Sequence, residues 1–129
     1  MSQEVWFNKK KNTYVKYEGK RNKISDANKT FVSICKCSQK QLKNVVTMEL
    51  YEFGYKDVII GDGYVYARGE LPICLTAHLD TVHTELVTTV YEANTKDGDI
   101  ISSPQGIGGD DRCGIYMILM LLAKGYKHD

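Results

Sequence analysis

Downstream of Ser38 the apolar residues Leu42, Val45, Val46, Leu50 and Phe53 recur on one face at the helical spacing of about 3.6 residues. Ser38-x-x-Gln41 has the form of a capping box at the start of that helix, and Gly54 is placed to close it in the left-handed conformation. Residues 57–60 and 64–67 are short, β-branched and aromatic. They flank Gly61-Asp62-Gly63, a tight-turn sequence, so they predict a hairpin. Residues 73–79 form a nearly continuous apolar run, which predicts a strand covered on both faces. A further strand pair is predicted over residues 87–93 and 99–102, around Asn94 to Gly98. A second helix is predicted from Asp110 or Asp111. Its residues Ile115 and Met117 to Ala123 are apolar almost all round, so it is expected to be buried on most sides and to stop at Gly125. Residues 126–129 read as the lead-in to another strand.

The N-terminal third has a different character. Val5-Trp6-Phe7 and residues 13–17 flank a polar stretch and fit a small hairpin, with Trp6 as its anchor. Residues 20–29 are polar and turn-like, and residues 31–35 fit a short strand. Domain organisation is therefore read as a basic appendage over residues 1–37 and a folded unit over 38–129. The order helix, hairpin, buried strand, crossover, helix predicts an α/β fold. The expected form is a three-layer-like sandwich with a mixed β-sheet flanked by helices, truncated before its full strand complement, plus the N-terminal β-hairpin.

Composition narrows the class. The 129 residues are one domain's worth, and 43% hydrophobic with 26% charged is ordinary for a globular chain. No apolar run approaches the roughly 20 residues of a membrane span, and no basic-then-apolar leader opens the chain, so a cytoplasmic setting without a membrane partner is expected. The net charge of +1 conceals an asymmetry: residues 1–43 carry +8 and the remainder −7. The basic residues are scattered and follow no nucleic-acid-binding motif, so a solvated arm is the preferred reading over a nucleic-acid partner. Cys35 and Cys37 are too tightly spaced for a usual zinc knuckle, and Cys74 and Cys113 sit at a strand and a helix start. Free thiols are expected. The nine tyrosines fit sheet packing.

Two short segments carry candidate chemistry. In a strand, residues i and i+2 share a face, so His78 and Asp80 would project together at the end of the apolar run. Asp80 is then spaced to accept a ring N–H from His78, the usual device for orienting a metal-bound imidazole. Alone, His-x-Asp is more often a satisfied structural histidine. Some 30 residues later, Gly106-Ile107-Gly108-Gly109 leads into Asp110 and Asp111 at a helix start. A helix N-cap accounts for one of these acids. It does not account for the glycine-rich approach or for the pairing with an upstream His-x-Asp. Arg112 reads as an exposed residue of the first helical turn, and His83 as a rim or surface histidine.

Ala77-His78-Leu79-Asp80-Thr81-Val82 followed by Gly108-Gly109-Asp110-Asp111-Arg112-Cys113-Gly114 resembles the co-catalytic zinc metallopeptidase superfamily of aminopeptidases, carboxypeptidases and acylamino-acid hydrolases. The resemblance covers roughly residues 40–129. It implies that His78 binds one zinc, that Asp80 orients His78 in a catalytic role, and that Asp110 bridges two zincs. Asp111 falls on a variable position and takes no ligand role. The implied activity is hydrolysis of a peptide or acyl-amino-acid substrate by metal-activated water. The superfamily's Glu-Glu pair, later aspartate and final histidine have no match before Asp129. His83, Glu85, His128 and Asp129 are the spare candidates, none within a family motif. The catalytic domain is thus expected to be incomplete, with weak metal binding and little hydrolysis; the competing expectation is a catalytically inactive relative acting as a binding or interaction module.

Overall fold

The computed structural model describes residues 4–8, 13–17 and 24–129. Strands β1 (Glu4–Asn8) and β2 (Thr13–Tyr17) pair antiparallel, as the expected N-terminal hairpin. The role expected of the Trp6 side chain lies outside the described part. A short 3-10 turn over Asp26–Asn28 leads into α1 (Lys29–Lys36) and α2 (Gln39–Glu52). Hairpin β3 (Val58–Ile60) and β4 (Val65–Ala67) follows, then an extended segment over residues 71–80. Hairpin β5 (Tyr91–Thr95) and β6 (Gly98–Ser102) precedes α3 (Gly109–Ala123).

The capping box at α2 is complete. Ser38 Oγ accepts from the Gln41 N–H at 3.1 Å, and Gln41 Oε1 accepts from the Ser38 N–H at 2.9 Å. Gly54, at φ +91°, ends the helix in a conformation that costs a residue with a Cβ roughly 1–2 kcal/mol.

Residues 31–35 are helical, contrary to the strand expected there. Val32, Ile34 and Cys35 are buried, and Phe31 stacks edge-on against Tyr116 of α3 with ring centroids 5.6 Å apart. The β-branched run misleads because it also satisfies helical spacing, and packing against α3 outweighs its intrinsic preference. Ile34 joins Leu42, Leu50, Tyr55, Ala67, Ile115, Leu119 and Leu122 in one core, with Ala77 and Leu79 packed on its edge. The core thus draws on all three helices and on residues both before and after position 37.

The α/β class is as expected, but no continuous mixed sheet forms among the described residues. The strands make three separate two-stranded antiparallel ribbons. Among the described residues, parallel pairing is confined to 70–75 against 127–129. There Glu70 N–H donates to Lys127 O (2.7 Å), Asp129 N–H to Ile73 O (3.0 Å) and Leu75 N–H to Asp129 O (2.8 Å). Residues 127–129 thus lie alongside 70–75 as an isolated parallel bridge, not as an assigned strand. The run 73–79 is not covered on both faces. Leu75, Ala77 and Leu79 are half-buried, the last two against the core, while Cys74, Thr76 and His78 are exposed. Nor is α3 enclosed on most sides: Arg112, Ile115, Leu119 and Leu122 are buried, whereas Met117 and Leu121 are exposed. Residues 87–90 likewise precede the strand they were expected to join.

Candidate metal centre

The extended segment carries His78 and Asp80 to the rim of an open groove of about 400 Å³. Its walls include β4, residues 74–80 and the α3 residues Ile115, Ile118 and Leu119. Close to His78 the chain turns into α3. Gly108 stands at φ +68°, and a Cβ there would lie 3.1 Å from Thr81 Cγ2. Glycine thus serves both the left-handed backbone and the close approach to the His78 segment. Asp110 and Asp111 follow with non-helical backbone angles and a cis peptide between them.

The two acids divide their roles. Asp111 Oδ1 accepts from the Gly114 N–H at 3.1 Å, three residues on, as a helix N-cap does. Asp110 turns the other way, and its Oδ1 lies 2.9 Å from His78 Nε2. On the far side of the ring, His78 Nδ1 lies 3.0 Å from the Asp80 carbonyl oxygen and 3.3 Å from Asp80 Oδ1. His78, Asp80 and Asp110, singled out from sequence, stand together as one chain of contacts. The Asp110 hydrogen bond, followed by that to the Asp80 carbonyl, holds the His78 imidazole above its ordinary pKa of 6.5.

The donor chemistry suits zinc: an imidazole nitrogen beside a carboxylate oxygen, with the second ring nitrogen facing a carbonyl and a carboxylate. The set is short, however. Among the described residues no group of three or more His, Cys, Asp or Glu side chains is arranged to hold a metal ion. The spare candidates lie elsewhere. His83 is half-buried in the wall of a second pocket, and Glu85 is exposed at that pocket's edge. His128 is buried, with Nδ1 beside the Asp129 carbonyl. The Asp129 carboxylate accepts from the Tyr66 hydroxyl (3.0 Å) and from the Gly69 N–H.

Arg112 is not the exposed residue that sequence suggests. It is 3% exposed, and its Nη1 donates to the carbonyls of Ile34 (2.7 Å) and Cys37 (3.0 Å), closing the end of α1. The signal was present: Arg112, Ile115, Leu119 and Leu122 recur on one helical face. Glu92, which the sequence did not single out, is 1% exposed. Its Oε1 accepts from Asn28 Nδ2 (2.6 Å), Ser25 Oγ (2.9 Å) and the Ser25 N–H (3.2 Å). All four cysteines are free, and burial pushes the Cys35 thiol up to about 11. Cys74 is exposed, since the run that carries it is covered on one face only.

No protein-family model, curated protein or solved structure matches the chain. No helix among the described residues is long and apolar enough to cross a membrane.

Proposed function

We propose that this chain carries part of a zinc-dependent hydrolase site acting on peptide or acyl-amino-acid amide bonds. The observation that carries the reading is the contact of His78 Nε2 with Asp110 Oδ1 at 2.9 Å, from segments 32 residues apart. His78 and Asp110 would hold the metal, and Asp80 would act as a positioning residue. When bound, zinc supplies Lewis acidity, polarising the scissile carbonyl and lowering the pKa of its water. The chain's own contribution is orientation. With Nδ1–H directed at Asp80, the ring presents the lone pair of Nε2 to the site. Asp110 adds negative charge beside that nitrogen, and zinc would take the place of the proton that joins the two. A three-layer sandwich remains part of the proposal, with residues 127–129 as the start of a strand parallel to 70–75.

Two donors do not complete a site that needs about three protein ligands per metal. Weak zinc binding and little hydrolysis are therefore expected unless further ligands join. Elemental analysis of the purified chain after zinc loading tests the proposal. Bound zinc lost in both His78→Ala and Asp110→Ala, and retained in His83→Ala, is the expected result. Zinc absent from the folded wild-type chain, or retained in both variants, would overturn it. A second reading, an interaction module, draws on the groove itself. Its wall over residues 74–80 is half-exposed, as a strand-accepting surface requires.

A further inference from the structure

The buried guanidinium of Arg112 has no carboxylate within ion-pair distance among the described residues; it faces the carbonyl end of α1 and, at longer range, Asp80. Its two acceptors are neutral carbonyls, no carboxylate pairs with it, and its Nε has no hydrogen-bond partner. Burying a charge without a counter-charge is strongly unfavourable, so native structures pair or ligate such groups.

Arg112 lines a pocket of about 130 Å³, with Cys37, Ser38, Gln39, Thr81 and His83 among its other walls. A single water needs roughly 10–15 Å³ by this measure, so a small polyatomic ion fits with water beside it. Ser38 and Gln39 are the start of α2, a helix of 14 residues. The Gln41 N–H is taken by Ser38 Oγ and the Leu42 N–H by Ser38 O. The amides of Gln39 and Lys40, at the first two helical positions, have no acceptor within the helix and form its positive end. A helix N-terminus and a buried guanidinium therefore meet at one polar pocket. The carboxylate in its wall, Glu85, is exposed to solvent.

We infer that this pocket is a binding site for a small oxyanion, a carboxylate or phosphate group, held between Arg112 and the amino end of α2. The inference does not rest on the zinc reading, because His78, Asp80 and Asp110 are not among the pocket's walls. Its chemistry is that of anion capture at a helix N-terminus, with a fixed guanidinium as second partner.

Melting temperature of the full chain in sodium phosphate, sodium acetate and sodium chloride at equal ionic strength tests it. Phosphate or acetate raises the melting temperature saturably above chloride; whichever does so identifies the class of oxyanion. Gln39→Glu places a carboxylate in the pocket wall while favouring the helix's first turn, and weakens the apparent affinity about tenfold. Asn44→Asp adds the same charge further along α2, at an exposed position outside the pocket walls, and leaves the response intact. In the wild-type protein, phosphate titration followed by NMR shifts the Gln39 and Lys40 amides first. Equal responses to chloride and both oxyanions, equal responses of the two variants, or unmoved Gln39 and Lys40 amides would overturn the inference.

Discussion

At the scale of single residues, the site rests on one imidazole with acids on both sides. His78 Nε2 faces Asp110 and Nδ1 faces Asp80, so the protonated ring is favoured and its pKa lies above 6.5. The stabilisation from these contacts is fully present below 6.5 and is lost as pH rises through the raised value. The melting temperature of metal-free wild type is therefore expected to fall, relative to His78→Gln, as pH increases from 6.5. Parallel curves for the two proteins would contradict the contact. The same proton occupies the nitrogen that a metal needs, so zinc binding strengthens over that pH window. His78, Asp80 and Asp110 were legible in sequence because strand period and glycine-rich loop chemistry are local patterns. Arg112 was read as exposed, and Glu92 was not singled out. Their partners, Ile34 and Cys37 in one case and Ser25 and Asn28 in the other, lie more than 60 residues away.

Among the elements, those with their own punctuation were legible. The capping box at Ser38 and Gln41, the positive φ of Gly54 and the turn at residues 61–63 define α2 and the β3–β4 hairpin within a residue or two. Ser38→Ala removes a cap that also shapes the Arg112 pocket. It is expected to destabilise the protein by about 1 kcal/mol in chemical denaturation, with hydrogen exchange quickening in the first turn of α2. A loss near zero would mean that the cap is not formed in solution. Two elements were misread for a shared reason. The apolar content of residues 31–35 and 73–79 was clear, but the number of faces covered depends on neighbours that no local pattern reveals. Helix α1 gains α3 as its neighbour, while among the described residues 73–79 gain a backbone pairing partner only in Asp129.

At the scale of the whole molecule, one core spans the three helices and the β3–β4 hairpin, and the Glu92 cluster ties the entry to α1 onto β5. Hydrogen bonds from Asn28 first, then from Ser25 and Asn94, hold the Glu92 carboxyl below its ordinary value of 4.5, against the opposing effect of burial. Its contribution is full above pH 4.5 and is lost as pH falls through the lowered value. Glu92→Gln is expected to lower the melting temperature at neutral pH and to flatten its decline below pH 4.5; an unchanged acid limb would contradict this. How the strands associate was the least legible feature, since the expected mixed sheet is replaced by three antiparallel ribbons and strand order is a property of long-range pairing. The central claim is that His78 and Asp110 form part of a metal centre. Zinc-edge anomalous diffraction from crystals of the zinc-loaded chain tests it most directly. The account predicts a peak in contact with both His78 Nε2 and the Asp110 carboxylate. A peak confined to other side chains, or none at full zinc loading, would contradict it.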